Sequence, residues 1–194
     1  MKKQFVIILA LIFSSFFTHA QSLKAMAESE MMTWYGIDFT TARFQNFGAY
    51  LSDKTVKTGL PRWSMHPFGA DDLATFKKKY KKDKIAVADA QAATRNKEQD
   101  YTAQMTTGAH ELNMDSLKTV VAQYEMKGTG YGLLFIVESF EYTKKKTNIW
   151  AVYINEADKT IIDAKKVTKE TFGDWFVGVT ETVQQGAKYM KNAK

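Results

Sequence analysis

Asp38 and Glu138 are the side chains of this sequence best placed for chemistry, because each ends an apolar segment typical of a strand. If the two strands are neighbours with the same direction, the carboxylates converge and one acquires a raised pKa, as general acid–base catalysis requires. With His66 as a third group, this arrangement predicts a hydrolase. The alternative interpretation is that Glu138 lies where its strand leaves the core and is hydrated or paired with a lysine.

A second set of candidates lies in the segment Leu60–Gly69, which contains both prolines of the chain. Proline interrupts helices and central strands, so we predict a shaped loop. Aromatic side chains beside a cationic group would suit a sugar or an anion. The alternative is that these aromatic side chains pack beneath the loop and extend the core. The ligand-binding candidates of this loop are Arg62, Trp63, His66 and Phe68.

A basic cluster follows the loop. Asp71-Asp72 favours the start of a helix, and Leu73, Phe76 and Tyr80 are spaced along one of its faces. Lysines at the end of this helix predict either a solvated surface or a patch that binds anionic lipid or polysaccharide in a salt-dependent way. The cluster consists of Lys77, Lys78, Lys79, Lys81, Lys82 and Lys84.

Other motifs favour structure over chemistry. The glycines of 128–132 follow a helical pattern and precede a strand, the reverse of a dinucleotide-binding loop, so we interpret them as a helix stop and a tight turn. The chain has no cysteine, and His66 and His110 lack metal-ligand spacing, which argues against a zinc site. Met31 and Met32 lack the repeated pattern of a copper site. We assign no catalytic residue and predict no metal or cofactor.

The elements that must position these groups are clearest between residues 131 and 166. Leu133–Val137 is an apolar, β-branched and aromatic run that predicts a strand buried on both faces. Two further strands, near 148–154 and 160–167, follow after short polar turns, which imply antiparallel neighbours. An opening strand is predicted over Trp34–Phe39, and helices near Asp72, Asn113 and Thr171. We therefore predict an α+β single-domain sandwich, with a mainly antiparallel sheet of about four to five strands covered by helices.

The N-terminus indicates export. Met1-Lys2-Lys3, an apolar run over Phe5–Phe17 and the small residues around Thr18-His19-Ala20 are typical of a signal peptide cleaved after Ala20. The run is too short for a membrane span, and no transmembrane segment is expected after cleavage. The single domain then comprises residues 21–194, in the periplasm or outside the cell. Loss of Lys2 and Lys3 lowers the net charge from +6 to +4, and export argues against nucleic acid as a partner.

Several segments carry a family resemblance. Residues 130–140, the lysine turn that follows them, the strand ending at Asn155 and the later Phe172-Gly173-Asp174-Trp175 resemble the C-terminal half of a family of exported Bacteroidota proteins of unknown function. Residues 33–39 resemble the opening strand of that family. The resemblance implies a fold and a compartment but no chemistry.

These observations favour a non-catalytic envelope or secreted module that binds a partner protein or an envelope component, because the sequence specifies a core without a catalytic constellation. Two alternatives stay open. One is a hydrolase that uses Asp38, Glu138 and His66. The other is binding to anionic surfaces through the cluster from Lys77 to Lys84.

Overall fold

The computed structural model describes residues 23–48, 70–170 and 175–193. The predicted signal peptide and the segment Leu60–Gly69 lie outside the described residues. The strands are β1 (Met31–Asp38), β2 (Arg43–Gln45), β3 (Lys84–Val87), β4 (Met105–Thr106), β5 (Tyr131–Glu141), β6 (Lys146–Asn155) and β7 (Thr160–Glu170). The helices are α1 (23–28), α2 (Ala70–Tyr80), α3 (Ala90–Lys97), α4 (Met114–Ala122) and α5 (Trp175–Asn192).

Strand β5 is the centre of the sheet. Along one edge its first half pairs with β1 and its end pairs with β2, both in parallel, and β3 and β4 lie outside these two strands, also in parallel. Its other edge pairs with β6, and β6 pairs with β7, both antiparallel. Two short strands therefore lie end to end beside one long strand.

The prediction of a mainly antiparallel sheet of about four to five strands is wrong. Within the described residues the sheet has seven strands and four parallel pairings, and helices cover both faces in an α/β arrangement. Short turns make β5, β6 and β7 antiparallel neighbours, as predicted. Long connections that contain α2, α3 and α4 carry the chain from β1 to β3 and then to β5 in the same direction, as parallel pairing requires.

One face of the sheet, here called the aromatic face, is packed by α2 and α5. Trp34 of β1 packs against both Phe76 of α2 and Phe135 of β5, with ring centroids 5.1 and 5.6 Å away. The Tyr80 hydroxyl donates to the Val183 carbonyl at 2.8 Å and ties the two helices together. This face is a dense core in which the fully buried hydroxyls of Tyr80 and Tyr153 bond to the backbone of α5.

The opposite face, here called the network face, is covered by α3 and α4. Successive side chains of a strand point to opposite sides, so Leu134 and Ile136 lie here while Leu133 and Phe135 lie on the aromatic face. Helix α4 begins as predicted, because the Asn113 side chain accepts a hydrogen bond from the Ser116 amide at 2.9 Å. The four residues of the predicted apolar stripe are all buried, but the helix ends before the last of them: Leu117, Val120 and Val121 belong to α4, and Tyr124 follows it.

No helix in the described segments combines the length and apolar character needed to cross a membrane.

Candidate functional site

Asp38 ends β1 and is completely buried on the network face. Its carboxylate accepts hydrogen bonds from the Thr40 amide at 2.7 Å and from the Tyr124 hydroxyl at 2.8 Å, and Arg95 Nε lies 3.0 Å from the same carboxylate. The bond to the Thr40 amide, two residues on, turns the chain out of the strand. Asp38 is thus a fixed anchor at the carboxyl end of a parallel strand.

Arg95 projects from α3 and is held in one orientation. Besides the contact with Asp38, Nη2 donates to the Thr40 hydroxyl at 3.3 Å, and the guanidinium lies over the Tyr124 ring, 5.3 Å from its centroid. Burial, and then the negative charge of Asp38, raise the pKa of Tyr124, which keeps this hydroxyl protonated as a donor. Arg95 is therefore a cation held in place by Asp38, Thr40 and the Tyr124 ring.

Asn96 explains why α3 lies at this position. This residue is fully buried, and its side chain accepts from the Phe39 amide and donates to the Ile37 carbonyl, both at 2.7 Å. It therefore pairs backbone groups at the end of β1 that the sheet leaves free. The neighbouring Arg95 is thereby placed beside Asp38.

Glu138 belongs to β5 and lies on the network face, as Asp38 does, but its partners are different. Its carboxylate forms an ion pair with Lys166 and accepts hydrogen bonds from the Leu112 amide at 3.0 Å and from the Trp150 indole at 2.9 Å. β1 and β5 are parallel neighbours, which is the condition for convergence of the two acids. Asp38 and Glu138 nevertheless share no hydrogen bond, and each is occupied by separate donors. Glu138 is the lysine-paired residue of the alternative interpretation.

His110 lies near Glu138, in the loop before α4. Its Nε2 is buried and has no hydrogen-bond partner among the described residues. Burial and the positive charge of Arg43 lower the pKa of His110, against a smaller opposing effect of Glu138. The ring is therefore neutral at neutral pH.

An open groove with a volume of about 550 Å³ joins these residues. It lies at the carboxyl end of β1, between α3 and α4, where open sheets with parallel strands commonly bind ligands. Its volume is in the range of small-molecule sites. Its polar wall includes Thr40, Thr41, Arg43, Arg95, Glu98, His110 and Ser116.

Arg43 is the second cation of the groove. Its Nη1 donates to the carbonyls of Thr41 and Ala42, at 3.4 and 3.0 Å. Arg43 uses Nη1 in these bonds, and Arg95 uses Nε and Nη2, so both guanidinium groups are held in place while further N–H groups remain for a ligand. Two such groups in one groove can bind a carboxylate or a phosphate.

The other predicted residues are distributed as follows. Arg62, Trp63, His66 and Phe68 lie outside the described residues. In the basic cluster, Lys78, Lys79, Lys81 and Lys84 are exposed and Lys77 is half-buried. Lys82 is not on the surface: it is 4% exposed, and its ammonium donates to the carbonyls of Met26, Ala27 and Ser29 at the end of α1. The basic surface therefore contains five of the six lysines.

The glycines of 128–132 surround a third buried carboxylate, Glu156. This carboxylate accepts from the Tyr35 hydroxyl at 2.7 Å and from the Gly130 amide at 3.2 Å. A Cβ atom at Gly128 would collide with Glu156, and one at Gly132 would lie 2.8 Å from the Tyr35 ring. These two glycines are therefore required by the close approach of protein side chains.

Sequence reasoning did not identify Arg43, Arg95 or His110 as groove residues, because their proximity depends on how β2, α3 and the loop before α4 meet. No group of three or more metal-binding side chains occurs in the part of the chain that the structure describes. No protein-family model, curated protein or solved structure matches the chain.

Proposed function

We propose that this protein is a non-catalytic binding module of the cell envelope or the extracellular space, and that its groove holds an anionic group of an envelope component. The signal-peptide pattern of residues 1–20 supports the compartment. The observation that carries the proposal is the pair of anchored guanidinium groups of Arg43 and Arg95 on one groove wall.

Anchoring is what favours binding. A long cationic side chain loses conformational freedom when it grips a ligand, and this loss reduces affinity. Arg95 has already lost that freedom through Asp38, Thr40 and Tyr124, and Arg43 through two carbonyls. The groove is therefore preorganised for an anion.

The same contacts make acid–base catalysis the less favoured function. A general acid or base needs a carboxyl group that can exchange a proton with a substrate. Asp38 is completely buried beneath Arg95 and Tyr124, and Glu138 is paired with Lys166 and bonded to Leu112 and Trp150. Both carboxylates serve to position other groups.

The test is a titration of the purified protein with acetate, D-gluconate, inorganic phosphate and sulfate, by isothermal calorimetry at low salt. We expect at least one of these anions to bind. Arg43→Gln and Arg95→Gln should each weaken its binding by about tenfold, since one charge-assisted hydrogen bond is removed.

Lys118→Gln is the matched control, because Lys118 is a cation on α4 that is 63% exposed and forms a surface ion pair with Asp115. It should leave affinity unchanged. Binding of none of the four anions, or an equal loss of affinity in the Lys118 variant, would show that the groove is not an anion site. Thermal unfolding of each variant separates loss of binding from loss of folding.

A further inference from the structure

The charged side chains that line the groove differ in whether the protein neutralises them. Arg95 forms an ion pair with the buried carboxylate of Asp38, at 3.0 Å. Arg43 is held by backbone carbonyls, which carry no net charge, and it forms no ion pair with the described residues. Glu98 also lies in the groove wall, and among the described residues its carboxylate has neither an ion pair nor a hydrogen bond. The groove therefore has one uncompensated cation and one uncompensated carboxylate.

The contacts of Arg95 explain why Glu98 lacks a cation. Glu98 is the C-cap residue of α3 and lies three residues after Arg95, a spacing at which an arginine and a glutamate on a helix can pair. Arg95 is turned instead toward Asp38, Thr40 and the Tyr124 ring. The exposed carboxylate of Glu98 is therefore left at the groove wall for a ligand.

We infer that the groove binds a zwitterion of the aminocarboxylic acid class, with its carboxylate on Arg43 and Arg95 and its ammonium group on Glu98. A ligand of this class carries one charge of each sign, which matches the two uncompensated charges of the groove. The groove volume of about 550 Å³ far exceeds a single inorganic ion, and Leu112 and Val120 add an apolar wall against which the hydrocarbon of such a ligand can pack. This inference rests on the function proposed above, since it requires the same arginine pair.

Two pairs of organic acids provide the test, titrated into the protein at pH 7.5 and low salt and followed by NMR chemical shifts. Within each pair a methyl group replaces the ammonium group: 2-methylbutanoate replaces 2-aminobutanoate, and pentanoate replaces 4-aminobutanoate. The first pair places the ammonium group next to the carboxylate, and the second places it at the far end of the chain. We expect the aminated acid of at least one pair to bind about fivefold more tightly than its methyl analogue, the upper range for an ion pair with an exposed carboxylate.

Three variants identify the groups that produce this preference. Glu98→Gln should abolish it without weakening the binding of the methyl analogues. Arg43→Gln should weaken both members of a pair by the same factor, because it removes a contact to the carboxylate that they share. Glu125→Gln is the matched control, since Glu125 is a carboxylate outside the groove wall that is 79% exposed. It should leave the preference unchanged.

The outcomes separate this inference from the proposed function. Equal affinities within both pairs overturn the inference and leave the anion site intact. Binding of phosphate or sulfate without binding of any of the four acids does the same. A preference that persists in Glu98→Gln, or that is lost equally in Glu125→Gln, also overturns the inference, because the ammonium group is then recognised elsewhere or only through the overall charge of the protein. Failure of every acid and every inorganic anion overturns both proposals.

Discussion

The two faces of the sheet bury polar groups in different ways. On the aromatic face, tyrosine hydroxyls donate to helix carbonyls, Tyr80 to Val183 and Tyr153 to Gly186, each at 2.8 Å. On the network face, the carboxylates of Asp38, Glu138 and Glu156 are buried at 5% exposure or less.

A buried carboxylate costs far more free energy than a buried hydroxyl unless it is fully hydrogen-bonded. The network face therefore uses donors such as Arg95, Tyr124, Lys166 and Trp150 to satisfy charges. Of these, Arg95 also lines the groove. Dense packing on the aromatic face stabilises the sheet on which this arrangement stands. Both faces therefore contribute to stability, the aromatic face through dense packing and the network face through satisfied buried charge, and the groove lies on the network face.

Of the proposed substitutions, Asp38→Asn on the network face should lower the free energy of unfolding most. The substitution keeps the shape of the side chain but leaves Arg95 without its charge partner, and breaking a buried ion pair costs about 3 kcal/mol. We expect the free energy of unfolding, measured by urea titration, to fall by about this amount. Anion affinity should fall as well, because Arg95 loses its anchor.

Asp115→Asn is the control for this change. It removes the partner of Lys118 in an ion pair on the surface of α4, where Asp115 is 87% exposed. No measurable loss of stability is expected for such a pair. An Asp38 variant as stable as the Asp115 variant would mean that the network face does not depend on buried charge.

The sequence was informative where the determining contacts are local. Residues 131–170 form β5, β6 and β7 as an antiparallel series, because short polar turns join segments with strand periodicity. The parallel pairing of β5 with β1 and β2 was not predicted, since it depends on long connections. α3 gives little signal because it buries only Ala92 and Asn96, and a helix that buries an asparagine has no apolar stripe.

Some residues of the candidate site could be predicted from the sequence, and others could not. Asp38 and Glu138 were identified because a carboxylate at the end of an apolar run is visible in the sequence itself. Arg43 and His110 were not, because each becomes informative only through its position in the groove wall. These residues form a groove wall only because the fold brings them together, and no local sequence pattern encodes that.

Gly186→Ala should destabilise the aromatic face and leave the groove unaffected. A Cβ at this position of α5 would lie 2.8 Å from the Tyr80 hydroxyl and 2.9 Å from the Phe135 ring, and both side chains are held in the core. Overpacking of this kind costs about 1–3 kcal/mol. We expect the free energy of unfolding to fall by that amount while calorimetry shows no change in anion affinity.

Gly108→Ala is the matched control, because its new Cβ would meet only the Thr106 hydroxyl, at 3.7 Å. It should leave the free energy of unfolding nearly unchanged. Loss of anion affinity in the Gly186 variant, under conditions where it is fully folded, would show that the two faces are coupled rather than separate.

The smallest expected effect is the pH dependence that His110 gives to the network face. The folded state lowers the pKa of this ring, mainly through burial and then through Arg43, so the unfolded chain takes up a proton more readily as the pH falls below the ordinary value of 6.5. Its contribution to stability is present above that pH and is lost as the pH falls through the lower folded pKa. The unfolding free energy of the unmodified protein minus that of His110→Phe, measured in urea from pH 7.5 to 5, should therefore fall toward acid. A value that rises toward acid would mean that the folded state prefers the protonated ring.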